Sequence, residues 1–177
     1  MKEITKETLL KAMKSRDAGE HPVFRECEFK DMDLSGMDLH NMDFTLSSFQ
    51  NVNLERVNFE NCSVENALFD GNSLHGANFQ NANMKTAAFR GCDMRECNIK
   101  GANLYGAVLE HAKLDDIQSD EATQWFRMHC PETNKRKRNF FLYFFKRTII
   151  KKNQLPCIYI GGKTRPKPGT FHSFGII

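Results

Sequence analysis

The chain is 177 residues long and carries 25 Lys and Arg against 22 Asp and Glu, a net charge of +3. That length suits one domain with appendages. No run approaches the ~20 apolar residues of a membrane span, and the charged stretch Met1–Arg16 does not read as a secretory leader. The balanced total hides an asymmetry: residues 24–118 hold 8 basic and 15 acidic side chains, a net of −7, whereas residues 119–177 hold 12 and 3, a net of +9. Within the acidic part, residues 24–70 hold 10 acidic and 3 basic side chains, and residues 71–118 hold 5 of each.

The first predicted element is a short helix, Thr5 to Arg16. Thr5 suits its N-cap, Ile4, Leu9, Ala12 and Met13 form an apolar stripe, and Gly19 is a stop signal. The helix is expected to cover the start of the repeat that follows, where Phe24 and an unpaired edge would otherwise be exposed.

From Phe24 to Leu114 every fifth residue is apolar: Phe24, Phe29, Leu34, Leu39, Phe44 and onward to Leu104, Leu109 and Leu114. A second series, two residues earlier in each unit, holds small or apolar side chains, among them Cys27, Val57, Ala77 and Ala102. Only Pro22, Ser47 and Asn72 interrupt it. Neither a helix at 3.6 nor a strand at 2.0 explains a period of five. A fixed period over so many units signals a repeat structure. Two inward residues, two apart, fit a short extended segment followed by a sharp corner. Gly and Asn recur at the corner, as at Gly36, Asn41, Asn61 and Gly101, because they tolerate turn geometry.

In its units Ala77-Asn78-Phe79-Gln80-Asn81, Ala82-Asn83-Met84-Lys85-Thr86 and Ala102-Asn103-Leu104-Tyr105-Gly106, the chain resembles the pentapeptide repeat family, whose pattern is A-(D/N)-L-x-x. The resemblance covers about residues 22–118. It implies an all-β fold, a right-handed quadrilateral β-helix with four units, hence twenty residues, per coil and about five coils. Sorted by twenty, the central residues form columns such as Phe29, Phe49, Phe69, Phe89, Leu109 and Leu34, Leu54, Leu74, Met94, Leu114. Like stacks on like in both. The chain then divides into an N-terminal capping helix (1–21), the repeat solenoid (22–118), and a C-terminal cap with a basic, aromatic-rich tail (119–177).

Beyond Ile117 the repeat is expected to stop, since Ser119 replaces the next central residue. Trp125, Phe126 and Met128 are material for covering the last coil. From Asn134 basic clusters alternate with aromatic and aliphatic runs, as in KRKRNFFLYFFKRTIIKK. This tail is read either as packing on the solenoid or as an anionic-membrane contact, with nucleic-acid binding a weaker reading.

No catalytic, cofactor-binding or metal residues are expected. A solenoid interior filled by Phe and Leu leaves no pocket for convergent polar groups. His40, His75 and His111 fall in different columns. Cys27, Cys62, Cys92 and Cys97 occupy the small inward position and read as core residues, which points to a reduced, cytoplasmic setting. His129 and Cys130 have no partners at metal-ligand spacing.

The function expected is therefore a non-catalytic protein-interaction or structural scaffold whose partner is another protein. A homodimer through the C-terminal region is implied by the resemblance. Two surfaces are candidates. Leu68, Ala88 and Val108 stack in one outward column where other units usually carry Asp, Asn or Ser, and form an apolar stripe. Glu26, Glu28, Asp31, Asp33, Asp38 and Asp43 form an acidic end suited to a basic surface, such as the tail of a second copy. The resemblance also implies an alternative: a DNA mimic that binds gyrase or topoisomerase and protects it from inhibitors. Relatives of that kind often carry projecting loops, and none interrupts this repeat. Nearly five coils span roughly 23 Å at ~4.8 Å each, a length of B-DNA carrying ~14 phosphates, which a net of −7 imitates poorly.

Overall fold

The computed structural model of the chain describes residues 1–125; the expectations for residues 126–177, including Phe126, Met128, His129, Cys130 and the basic tail, lie outside them. The chain begins with strand β1 (Lys2–Glu3), helix α1 (Lys6–Asp17), strand β2 (Cys27–Lys30) and strand β3 (Ser48–Gln50). The strands form a parallel sheet in the order β1-β2-β3. Beyond β3 each wall contributes only a short segment per coil, and the pairing continues as single parallel bridges between residues twenty apart.

Four columns of bridges define four walls of a β-helix solenoid. The first runs Val23, Asp43, Ser63, Asn83, Asn103, and the second continues from Glu28 and Ser48 to Leu68, Ala88 and Val108. The third runs Asp33, Asn53, Ser73, Asp93, Lys113, and the fourth Asp38, Asn58, Asn78, Asn98, Gln118.

The corners explain the period. From Glu26 to Asp116 every fifth residue has a positive φ, between 50° and 76°. At most corners the carbonyl of the central residue accepts from the N–H three residues on, as in Cys62 N to Phe59 O at 3.1 Å and Ala82 N to Phe79 O at 3.0 Å. This is a β-turn with its third residue left-handed, the type II arrangement that favours Gly and Asn. Leu46, Arg56 and Thr86 occupy the same position, where a side chain with Cβ costs on the order of 1 kcal/mol. Pairing to the neighbouring coils holds them there.

The apolar residues two apart point inward and fill the prism. Rings Phe29, Phe49, Phe69 and Phe89 stack at 4.6, 4.5 and 5.0 Å, within 9° of parallel, and Leu109 is fully buried in the same column. Phe59 and Phe79 stack at 5.0 Å on the fourth wall, and Phe59 meets Phe69 edge to face at 6.0 Å. Both geometries suit the aromatic quadrupole.

Polar residues at the small inward position bond to the coil before them. Ser47 Oγ donates to Phe24 O and accepts from Cys27 N–H. Asn72 donates to Phe49 O at 2.8 Å and accepts from Val52 N–H at 2.9 Å. Each side chain thus bridges a corner of the coil below. Cys62, Cys92 and Cys97 donate their thiols to Leu39, Phe69 and Leu74 carbonyls at 2.9–3.0 Å. Burial pushes all three thiols up to about 12, so they are not thiolate nucleophiles at neutral pH.

At the start, Thr5 accepts from Thr8 N–H as the N-cap of α1, and Leu9 is fully buried in the core. Strand β1 pairs with β2 in register Lys2 to Cys27, which the sequence reading did not include. At the other end Gln118 still pairs with Asn98, twenty residues away, but Gln124 pairs with Asn103, twenty-one away. The extra residue lies in a turn in which Asp120 accepts from Gly101, Ala122 and Thr123 N–H groups. Pairing therefore continues one rung past Ser119, and Trp125 packs against the core.

Phe69→Ala is expected to cost about 3–5 kcal/mol, because both stacked neighbours lose a contact around the cavity. Asn72→Ala restores the commonest residue of that position, yet is expected to cost about 1–3 kcal/mol by stranding Val52 N–H and Phe49 O. Urea unfolding of the two variants checks both; a neutral Asn72→Ala would show that the lower corner closes without the amide.

Candidate functional site

The outward residue before each central one decides what a wall presents. On the fourth wall it is Asp or Asn from Asp38 to Asn98, for two reasons. Its side-chain oxygen accepts from the N–H two residues on, as in Asn58 Oδ1 from Glu60 N–H at 3.1 Å, an Asx turn that braces the corner. Its amide donates to the same oxygen one coil below: Asn58 to Asp38, Asn78 to Asn58 and Asn98 to Asn78, at 2.8–2.9 Å.

The second wall abandons this device. Leu68, Ala88 and Val108 succeed one another in three consecutive coils and cannot make either bond. Leu68 is 46 % exposed, Ala88 is buried at 4 %, and Val108 is half-buried. Leu46, 43 % exposed, sits at the corner leading onto this wall. Charged side chains flank the stripe. On its far edge Arg90 lies 3.0 Å from Asp70 and 3.6 Å from Glu110, so one guanidinium serves two carboxylates. On its near edge Lys85 lies 3.6 Å from Glu65. Such exposed pairs contribute ~0–1 kcal/mol each; their larger effect is to leave the stripe as an apolar strip within a charged frame.

The acidic residues are arranged differently from a patch. Glu28, Asp33, Asp38 and Asp43 are the outward residues of the second, third, fourth and first walls, and so ring the solenoid near its N-terminal end. Glu26 and Asp31 stand at corners between walls. Cations from the N-terminal segment meet this ring. Lys6 Nζ donates to Asp33 O at 2.5 Å, Arg16 donates to Asp38 O at 2.5 Å and lies 3.6 Å from the Asp38 carboxylate, and Arg25 lies 2.7 Å from Asp43.

The carboxyls respond accordingly. Burial alone would raise Asp38, but hydrogen bonds from His40 outweigh it and hold the group below its usual range. Burial likewise pulls Asp43 upward, and hydrogen bonds from Thr45 together with Arg25 overcome it. Ser35 lowers Asp33. All three are anions at neutral pH.

A shallow groove of about 360 Å3 follows the corner between the second and third walls, lined by Asp31, Asp33, Asn51, Asp70, Asn72 and Ser73 among others. It lies outside the filled prism. Its Asn72 amide is engaged on both sides by backbone. Among the described residues no group of three or more His, Cys, Asp or Glu is placed to hold a metal ion, and no helix is long and apolar enough to cross a membrane.

Sequence reasoning located the stripe and the acidic side chains but missed the neutralising cations and Leu46. A signal existed. The residue after one central position meets the outward residue eighteen further on, as in Arg25 with Asp43, Glu55 with Ser73 and Glu65 with Asn83. Scanning that offset would have found Arg25.

A family model described as the pentapeptide repeat region matches residues 23–99, and one described as pentapeptide repeats (8 copies) matches residues 87–117. No curated protein matches in sequence. Among solved structures, the chain is similar to HetL, a pentapeptide repeat protein involved in heterocyst differentiation regulation from the cyanobacterium Nostoc sp. strain PCC 7120. The two share 23 % identity at a TM-score of 0.52, over 59 % of this chain and 46 % of that one. The match therefore spans less than half of HetL's length. A pentapeptide repeat protein from the Arabidopsis thaliana thylakoid lumen matches at 21 % identity and TM-score 0.49, over 63 % of this chain and 75 % of that one. Full-length QnrB1, a plasmid-mediated fluoroquinolone resistance protein, matches at 12 % identity and TM-score 0.32, over 81 % and 94 %.

One carboxyl offers a pH test of the outward electrostatics. On the third wall the Arg95 guanidinium donates twice to Asp93 and Lys113 lies 3.7 Å away, and the Arg95 side-chain bonds above all pull Asp93 down from 3.8 to about 2. A depressed carboxyl contributes stability above its unfolded pKa and loses it as pH falls through the folded one. Melting temperature should therefore fall between pH 4 and pH 2, and Asp93→Asn should flatten that part of the curve. An unchanged slope in the variant would remove Asp93 from the account.

Proposed function

The chain belongs to the pentapeptide repeat family, and from that premise we propose that it is a non-catalytic protein-interaction scaffold. Its contacts are the apolar stripe of Leu68, Ala88 and Val108 and the acidic ring of Glu26, Glu28, Asp31, Asp33, Asp38 and Asp43. The observation that carries this reading is the second wall, where three successive coils give up the outward hydrogen-bonding side chains used elsewhere and leave Leu68 46 % exposed. Stacked apolar side chains on a flat, rigid wall are a common mark of a contact. The filled interior supports a non-catalytic role, since the inward polar groups Ser47 and Asn72 are consumed by backbone bonds. The four thiols among the described residues are free and buried, in keeping with a reducing, cytoplasmic setting.

This reading is preferred to DNA mimicry on the placement of charge. A mimic presents carboxylates in rows along one side, as phosphates lie along a duplex. Here the first-coil carboxylates are divided among four walls, Arg16 and Arg25 meet two of them, and Lys6 sits on the backbone carbonyl of Asp33. Membrane attachment and C-terminal dimerisation concern residues beyond 125.

Affinity capture from host cells, comparing the full chain with Leu68→Lys plus Val108→Lys, tests the proposal. Both side chains point outward, so the double variant should keep its melting temperature within a degree or two, in line with a change of about 0.5 kcal/mol or less. A protein held by the wild type and lost from the variant is the expected result. Identical capture by both would remove the stripe from the function.

A further inference from the structure

The exposed stripe raises the question of what covers it in the free chain. Three observations converge. The first is where the described chain ends. Gln124 pairs with Asn103 on the first wall and Trp125 packs against the core. In every coil the chain turns from the first wall onto the second, so it leaves the described region at the corner that opens onto the stripe.

The second is length. Leu68 lies three rungs below the last described coil, ~14 Å at ~4.8 Å per rung. Residues 126–139 can span up to ~46 Å, ample for a reversal that brings residue 140 onto the wall.

The third is complementarity. The only run of six consecutive aromatic and aliphatic side chains in the sequence is Phe140-Phe141-Leu142-Tyr143-Phe144-Phe145. Basic residues bracket it, Lys135-Arg136-Lys137-Arg138 before and Lys146-Arg147 after, and residues 126–177 carry 12 basic side chains against a single acidic one. The stripe is apolar along its centre, with the Glu65–Lys85 pair on one edge and Asp70 and Glu110 on the other. Arg90 is shared by two of those carboxylates, which leaves that edge with an excess negative charge.

We propose that the stripe of Leu68, Ala88 and Val108 is the docking surface for residues 140–145 of the same chain, with the flanking basic clusters set against the carboxylates at its edges. The proposal rests on reading the stripe as a contact and adds its occupant. Burial of Leu68 and Val108 under aromatic rings supplies the attraction, and the charges set the direction in which the segment lies. A partner that uses this wall must displace the segment or bind it together with the stripe.

The test uses the full chain with a photo-cross-linking amino acid at position 68. A mixture of isotopically light and heavy copies is irradiated and digested. The expected product joins position 68 to the peptide containing residues 140–145, light to light and heavy to heavy only. It should be lost when Phe141→Asp and Phe144→Asp are introduced, with the melting temperature of that variant as the check that the solenoid still folds. A light-to-heavy product, which places a second copy on the stripe, overturns the proposal while keeping the wall as a contact. So does an adduct to a different protein in cell extract. Absence of any adduct overturns both readings.

Discussion

Parallel pairing between residues twenty apart is the constraint from which the rest follows. An N–H to C=O ladder, such as Phe59 N to Asn78 O at 2.7 Å and Phe79 N to Asn98 O at 2.7 Å, ties each wall to the next coil. For the pairing to recur, every wall must be equally long and every corner equally sharp. This is why a left-handed residue appears every fifth position from Glu26 to Asp116, even where it is Leu46 or Thr86. The same closure puts two side chains of each unit inside. Stacked rings and aliphatic chains fill that space, so recognition can take place only on the outer walls and at the ends.

The interior was legible because a period of five admits so few solutions. The Phe29 to Leu109 column could be written down by counting, and the rings do stack there. The chemistry of Ser47 and Asn72 was also legible in kind, since a buried polar group next to backbone must find a partner. What counting could not supply were events that break the count. Strand β1 precedes the repeat and contains no repeat signal, yet it pairs with β2. The added residue near Asp120 shifts the register by one, which hid the rung at Gln124.

The outer surface was legible only in part, and for a definite reason. Composition gives the charge of a segment but not its distribution around a prism. The six acidic residues of the first units read as one end with a net charge, whereas the structure spreads them over four walls and two corners and brings Lys6, Arg16 and Arg25 against that ring. The stripe survived because it depends on a single column, and columns are what the period specifies. Its meaning becomes clearer beside the fourth wall, where Asp38, Asn58, Asn78 and Asn98 show what an outward column does when it serves the fold alone. Leu68, Ala88 and Val108 do none of that.

The register of twenty can be measured directly. Asp38 and Gln118 are eighty residues apart in sequence but belong to one column, linked through Asn58, Asn78 and Asn98. Four rungs separate their backbones by ~19 Å. Spin labels at these two outward positions, read by pulsed electron paramagnetic resonance, should give a single narrow distance near that value, widened only by the label arms. A distribution centred well beyond 30 Å, or one with several populations, would contradict the stacked solenoid and everything inferred from its walls.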